Sequence, residues 1–197
     1  KIFYGKPMIA WSIEAAVNSG IFDKVIVSTD NEEISNISLD YGAEVPFVRP
    51  DEISDDYAVT TEVIAHSANW FKQEGLEVES ITCIYATAPF LDVEDLIEGI
   101  KIFESESWEY VFTVTDFAAP IFRAFHQTKS GGLEMYYPEF FETRSQDLPK
   151  ALHDAGQFYI ARPTTWIKNK RIFDKKSRPL IIPRYRVQDI DTEEDWV

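Results

Sequence analysis

Cysteine is nearly absent from this sequence of 197 residues, because Cys83 is its only thiol. A single thiol cannot form an internal disulfide, and the apolar neighbours of Cys83 predict a core residue in a reducing compartment. Apolar runs of about 18 residues, which a transmembrane helix needs, do not occur. We also find no secretory signal pattern in the opening residues. These absences predict a cytoplasmic protein without a membrane partner.

Basic residues are scarce: 19 lysines and arginines face 34 acidic residues, which gives a formal net charge of −15. This excess of negative charge argues against non-specific binding of nucleic acid. A small phosphorylated ligand stays possible, because a local basic pocket can outweigh the mean field. Internal repeats and low-complexity linkers are absent as well. With 45% hydrophobic residues the sequence can fill a sizeable core, and we predict a single domain over residues 1–197.

Short apolar runs alternate with helical patterns along most of the chain. The predicted strands are residues 24–30, 43–50, 80–87, 110–116, 155–162 and 178–190. The predicted helices are residues 7–20, 31–42, 60–75 and 92–105, and a further helix begins near the C-terminus. This alternation predicts an α/β three-layer sandwich with a mainly parallel, mixed sheet.

Residues 120–150 break this alternation, since they contain many aromatic residues, paired glycines and no long helical period. They predict a hairpin or arm that projects from the sheet. A free monomer would expose much of this apolar surface, which predicts a symmetric homodimer. The alternative is that the aromatic side chains fold back on their own sheet.

Polar residues follow the predicted strands at the carboxyl ends, where α/β sheets bind ligands. They are Thr29, Asp30, Arg49, Thr87, Asp116, Asp189 and Asp191. On an extended stretch Asp189 and Asp191 would point to the same side and share a Mg²⁺ ion. The alternative is that Asp191 caps a terminal helix, with Glu194 completing a capping box.

Four stretches, in this order, resemble the cytidylyltransferases that activate nine-carbon sugar acids: GKPMIAWSIEAA, VIVSTDNEEI, YGAEVPFVRP and DIDTEEDW. The resemblance covers essentially the whole chain. It implies the Rossmann-like fold of nucleotide-diphospho-sugar transferases, CTP and a nonulosonic acid as substrates, and Mg²⁺ as cofactor. The segments CIYATAPF and TRSQDLPKALHDAGQFY look most like the members of that family that act on pseudaminic acid. The product would be a CMP-sugar for surface glycan biosynthesis.

The resemblance also implies roles for individual residues on the nucleotide side. Arg49 and Thr60 would contact the nucleotide, and Thr87 would donate a hydrogen bond to the ligand. Related enzymes often have a serine at the position of Ala58, and alanine lacks the hydroxyl for that nucleotide contact. An exposed ion pair is the alternative for Arg49. Asp189 and Asp191 would be the metal ligands.

On the sugar side, Tyr85 replaces a glutamine of the sialic acid enzymes, which disfavours sialic acid itself. Arg144 matches an arginine that reaches the site of the neighbouring subunit, and its guanidinium suits a carboxylate. The other implied sugar contacts are Gln146, His153, Asp154 and Gln157. A structural hydrogen bond is the alternative for His153. We predict only structural roles for His66 and His126, which lack metal-ligand spacing.

Members of that family carry a strand and a glycine-rich basic loop ahead of the matching region, and the loop holds the phosphates. Residues 1–197 contain no G-x-G-x-x-G and no GK[ST] sequence. We therefore expect CTP binding to require an upstream segment. Two other functions stay open at this point: a metal-dependent glycosyltransferase, which also uses a D-x-D sequence, and a non-catalytic relative of the fold.

Overall fold

The computed structural model describes residues 1–188, 190 and 195. Its α-helices are α1 (Met8–Ser19), α2 (Glu32–Asp40), α3 (Thr60–Gln73), α4 (Val93–Ser105) and α5 (Pro163–Ile167). Its strands are β1 (Ile2–Phe3), β2 (Lys6–Pro7), β3 (Ile81–Ile84), β4 (Tyr110–Asp116), β5 (Phe125–Gln127), β6 (Leu133–Met135), β7 (Leu152–Ala161) and β8 (Ser177–Ile181). Every helix in this described part is too short or too polar to span a bilayer.

The central sheet has the strand order β3-β7-β4-β8. β4 pairs in parallel with β8, whereas β7 pairs antiparallel with both β3 and β4. β3, β4 and β8 therefore run in one direction, and β7 runs the opposite way between two of them. The predicted α/β fold with a mixed sheet is confirmed, but the reversed direction of β7 was not foreseen.

The predicted strands at residues 24–30 and 43–50 lie side by side without forming a continuous ladder. They make isolated parallel bridges between Ile26 and Glu44 and between Thr29 and Val48. The Arg49 amide donates to the Thr29 carbonyl at 2.9 Å, which fixes the end of this pairing. The two segments are thus extended and adjacent, as the sequence indicated, with less regular pairing than predicted.

Each face of the central sheet carries its own apolar cluster. On one face Tyr110, Phe112 and Tyr159 pack with Trp166 of α5 and with Cys83. Burial raises the pKa of the Cys83 thiol to about 12, as expected for an unreactive core cysteine. On the other face, Leu96 and Phe103 of α4 pack with three strand residues: Val111, Phe158 and Ile160. The sheet is therefore covered on both sides, as a three-layer sandwich requires.

Gly99 allows α4 to approach the sheet closely. A Cβ atom at this position would lie 2.9 Å from Cε2 of Phe158 and 3.0 Å from Cδ1 of Ile160. Both side chains are fully buried, so they have little room to move. The helix therefore rests on the sheet at a distance that only glycine permits.

We expect Gly99→Ala to lower the free energy of unfolding by about 1–3 kcal/mol, because overpacking outweighs the gain in helix propensity of about 1 kcal/mol. Urea denaturation measures the effect. Gly132→Ala is the control: its nearest neighbour, Oγ1 of Thr128, would lie 3.4 Å away, and we expect a change within about 0.5 kcal/mol. Equal stability of both variants would contradict the close packing of α4.

The stretch 120–150 contains the predicted hairpin, in which Phe125 of β5 pairs with Met135 of β6. Part of the aromatic surface is covered within the arm, since the Phe122 ring contacts the rings of Tyr137 and Phe140 at 5.2 and 4.9 Å. The rest faces outward: Phe125, Leu133, Tyr136 and Phe141 are 58–69% exposed. The hairpin is confirmed, and the homodimer stays a prediction.

Candidate active site

The carboxyl ends of β3, β4 and β8 meet the amino end of β7 at one edge of the sheet. Asp116 at the end of β4 pairs with Leu152 at the start of β7, and Val114 pairs with Ile181 of β8. This edge therefore collects Tyr85, Asp116 and the residues that open β7, among them His153 and Asp154. The sequence predicted that strand ends would converge, and it missed that the antiparallel β7 contributes its beginning.

Tyr85 is held from three directions just beyond β3. Its amide donates to the Gln157 carbonyl at 2.9 Å, and its carbonyl accepts from the Ser12 hydroxyl at 2.7 Å. Its phenol oxygen lies 2.8 Å from Oγ1 of Thr60, the first residue of α3. Burial raises the pKa of the Tyr85 hydroxyl, so it stays protonated near neutral pH. The structure thus joins a predicted nucleotide residue, Thr60, to a predicted sugar residue.

Asp154 lies at a wide bulge in β7. Phe112 of β4 pairs with Tyr159 and Val114 pairs with Asp154, so on the β4 side residues 155–158 lie opposite Thr113 alone. Gly156 within the bulge has φ 62°, a left-handed conformation that glycine adopts easily. The bulge brings the Asp154 carboxylate next to Tyr159, and the Tyr159 hydroxyl donates a hydrogen bond to Oδ2 of Asp154.

Gln157 is 3% exposed and connects the bulge to the residues after β8. Its Nε2 donates to the Arg186 carbonyl at 2.7 Å, and its Oε1 is buried without a hydrogen-bond partner among the described residues. A buried acceptor without a partner is costly. The sugar contact that the resemblance implies for Gln157 stays a prediction.

Arg186 anchors the residues that lead toward the D-x-D sequence. Its Nη1 lies 2.6 Å from Oδ2 of Asp95 and 3.2 Å from Oδ2 of Asp92, the N-cap of α4. The hydrogen bond to Asp95, aided by both charges, raises the pKa of the guanidinium further. The sequence reading missed Arg186, because 91 residues separate it from Asp95 and no local pattern marks the pair.

His153 and Asp154 line a depression of about 720 Å³ beside the bulge. Phe112 and Phe173 form part of its apolar wall, and their rings are 5.4 Å apart. Nδ1 of His153 lies 2.8 Å from the Asp154 carbonyl, and its ring packs on Phe117 at 4.8 Å. The structural hydrogen bond considered for His153 is therefore present, and the depression leaves room for a ligand beside it.

Arg49 and Thr87 are two of the predicted nucleotide contacts. Nε of Arg49 donates to Oγ of Ser54 at 3.0 Å, and its Nη2 lies 3.6 Å from the Asp30 carboxylate. The ion pair that the sequence left open for Arg49 is thus present. Thr87 is exposed shortly after β3. Their nucleotide contacts stay predictions.

Arg144 and Gln146 are exposed on the arm and do not line the depression beside the bulge. Nε of Arg144 donates to Oδ2 of Asp147 at 2.6 Å, and the arginine side chain is 72% exposed. An exposed ion pair of this kind contributes little to stability. The guanidinium group of Arg144 is therefore accessible to a ligand or to a second subunit.

Asp189 and Asp191, the predicted metal ligands, lie outside the described residues. Within the described part of the chain, no cluster of three histidine, cysteine or acidic residues has the geometry to hold a metal ion. His66 packs on Phe47 with ring centroids 4.9 Å apart, and Nε2 of His126 lies 3.7 Å from the Glu134 carboxylate. These contacts agree with the structural roles predicted for both histidines.

Known proteins resemble this chain in sequence and in fold. The family described as cytidylyltransferase matches residues 1–125. Pseudaminic acid cytidylyltransferase of Campylobacter jejuni is 41% identical over 193 residues, which cover 98% of this chain and 83% of that protein. N-acylneuraminate cytidylyltransferase A of Danio rerio is 33% identical over 199 residues, which cover 100% of this chain and 44% of the relative.

A solved structure of CMP:2-keto-3-deoxy-manno-octonic acid synthetase complexed with CTP has the same fold. It superposes with a TM-score of 0.63 at 12% identity, over 92% of this chain and 81% of that chain. The chain belongs to the cytidylyltransferase family. It is accordingly a nucleotidyltransferase, built on the mixed α/β sheet described above.

Proposed function

We propose that the protein transfers the cytidylyl group of CTP to a nonulosonic acid, with pseudaminic acid as the preferred acceptor. The products are the CMP-sugar and pyrophosphate. The observation that carries this proposal is the 41% identity, over 98% of the chain, to a pseudaminic acid cytidylyltransferase. Tyr85 supports this proposal. Its hydroxyl is hydrogen-bonded to that of Thr60, and it occupies the position at which the sialic acid enzymes have a glutamine.

In the reaction, the anomeric hydroxyl of the sugar acid attacks the α-phosphorus of CTP. A new oxygen–phosphorus bond forms, the bond to the β-phosphate oxygen breaks, and pyrophosphate leaves with that electron pair. The hydroxyl proton passes to solvent. The protein contributes chiefly by holding the two substrates in line, since positioning supplies much of the barrier reduction in such transfers.

We assign the binding roles separately for the nucleotide and for the sugar acid. The nucleotide contacts are Arg49, Thr60 and Thr87. The sugar contacts are Tyr85, Gln146, His153, Asp154 and Gln157. Gln157 would contact a hydroxyl or amide group of the sugar, and Arg144 would bind the sugar carboxylate.

Asp189 and Asp191 would hold Mg²⁺, for which carboxylate oxygens are the fitting donor type. When bound, the ion offsets negative charge on the phosphates. Arg186 supports this assignment, because its bonds to Asp92 and Asp95 anchor the chain three residues before Asp189. We further propose that the protein acts in the cytoplasm as a homodimer, and that its product supplies surface glycan biosynthesis.

Pyrophosphate release tests the proposal directly. We expect release with CTP plus pseudaminic acid, and at least about tenfold lower kcat/KM with N-acetylneuraminic acid or with another nucleoside triphosphate. A tenfold ratio corresponds to about 1.4 kcal/mol of differential transition-state binding. Consumption of a nucleotide sugar without pyrophosphate release would instead identify a glycosyltransferase. Absence of both reactions would leave a non-catalytic relative.

A further inference from the structure

Two tyrosines form a contact between the nucleotide side and the sugar side of the site. The phenol oxygen of Tyr85 lies 2.8 Å from Oγ1 of Thr60, and the Tyr85 ring packs on the Tyr159 ring at 5.3 Å. The Tyr159 hydroxyl donates to the Asp154 carboxylate. Tyr159 belongs to the core cluster and is only 2% exposed, whereas Asp154 borders the depression. A core residue therefore holds the carboxylate of a residue that lines the depression.

The hydroxyl of Tyr159 is a dependable donor. Burial and the bond to Asp154 raise its pKa far above the usual range, so the phenol keeps its proton at every working pH. Its ring is fixed as well, since it stacks on Phe112 with an interplanar angle of 17°. The fixed ring holds the hydroxyl beside the Asp154 carboxylate and the Tyr85 hydroxyl.

The second oxygen of Asp154 is also held by the protein. Oδ1 accepts from the Gly156 amide at 3.0 Å, inside the bulge of β7. The carboxylate thus has one donor on each oxygen and keeps its remaining lone pairs for a ligand. Without the Tyr159 bond, rotation about the Asp154 side chain would misdirect those lone pairs.

We propose that Tyr159 is a positioning residue for sugar recognition: its hydroxyl orients Asp154 so that the carboxylate accepts a hydrogen bond from a hydroxyl or amide of the sugar acid. The proposal rests on the proposed function, because it takes the ligand of the depression to be the sugar acid. Tyr159 acts through Asp154 and does not touch the substrate itself. Its loss should therefore weaken sugar binding and leave nucleotide binding in place.

Tyr159→Phe removes the hydroxyl and keeps the ring. In the full chain we expect the KM for pseudaminic acid to rise about tenfold, as loss of one charge-assisted hydrogen bond implies, while the KM for CTP changes less than about twofold. Calorimetry with the sugar acid should show the same loss of affinity. In an Asp154→Ala background, Tyr159→Phe should have little further effect, because alanine leaves no side-chain acceptor for the Tyr159 hydroxyl to orient.

Tyr110→Phe is the matched control. Tyr110 is fully buried in the same cluster, and its hydroxyl donates to the Lys170 carbonyl at 3.1 Å, near the opposite end of β4. We expect a comparable small loss of thermal stability and unchanged KM values. A similar rise of both KM values in Tyr159→Phe, or an additive effect in the Asp154→Ala background, would overturn the proposal.

Two further outcomes separate this inference from the function on which it rests. Pyrophosphate release by the wild type, together with an unchanged sugar KM in Tyr159→Phe, would overturn the inference alone. A wild type that neither releases pyrophosphate nor binds a sugar acid would overturn both. If Tyr159→Phe does not fold, Asp154→Asn takes its place in the test. A sugar affinity equal to that of the wild type would then show that Asp154 does not bind the sugar acid, which would overturn the inference.

Discussion

Replacing Asp191 by asparagine is expected to lower turnover at least about 100-fold while the fold is retained. The substitution keeps the size of the side chain and removes one of the two negative charges proposed to hold Mg²⁺. A 100-fold loss corresponds to about 2.7 kcal/mol of transition-state stabilisation, a moderate fraction of what a metal contributes to phosphoryl chemistry. Pyrophosphate release at saturating CTP and sugar acid measures the effect.

Circular dichroism and thermal denaturation should show that the variant remains folded. Asp40→Asn is the matched control, since Asp40 is an exposed carboxylate at the end of α2 and has no proposed role in the site. We expect its turnover to equal that of the wild type. Normal turnover of Asp191→Asn in the presence of Mg²⁺ would refute the metal assignment and favour the helix-capping alternative.

Replacing Arg144 by alanine is expected to lower kcat/KM about 100-fold, mainly through weaker binding of the sugar acid. The proposed guanidinium–carboxylate contact is charge-assisted and bidentate, and its loss leaves the substrate charge unpaired. The fold should be unaffected, because the arginine is exposed and its ion pair with Asp147 contributes little. Steady-state kinetics with varied sugar acid measure the change.

The placement of Arg144 on the arm adds a test of shared sites. If each arm serves the partner's site, mixed dimers of Arg144→Ala and Asp191→Asn contain one intact site, and random exchange restores about a quarter of wild-type activity. The double variant mixed with either single variant should stay inactive. A monomeric mass in solution with full wild-type activity would rule the shared site out.

Local signals explain the parts of the fold that the sequence predicted well. Gly20 ends α1 in a left-handed conformation, Asn31 accepts from the Ile34 amide to begin α2, and Asp92 caps α4. Each of these bonds joins residues within four positions of one another. Propensity and side-chain chemistry decide them, so they can be read without knowing the rest of the chain.

The parts that escaped prediction depend on distant partners. β7 runs antiparallel to both β3 and β4, and nothing in its apolar run indicates which way the strand points in the sheet. The Tyr159–Asp154 bond exists because a bulge opposite Thr113 folds the strand back, although the Asp-Ala-Gly sequence was a local hint of a turn. Of the proposed site residues, Asp154 and Gln157 came from the resemblance, while Tyr159 and Arg186 could be found only from the packing of distant segments.

The central position of β7 also has a consequence for synthesis on the ribosome. Tyr159 pairs with Cys83 on one side and Phe112 on the other, so both neighbours of β7 are translated long before it. Until residues 152–161 emerge, β3 and β4 have unpaired edges, and the aromatic arm made just before β7 is already outside. A nascent chain with open strand edges and exposed aromatic residues is prone to aggregate. We therefore expect production of this enzyme to depend on chaperone supply and on translation speed over the stretch between β4 and β7.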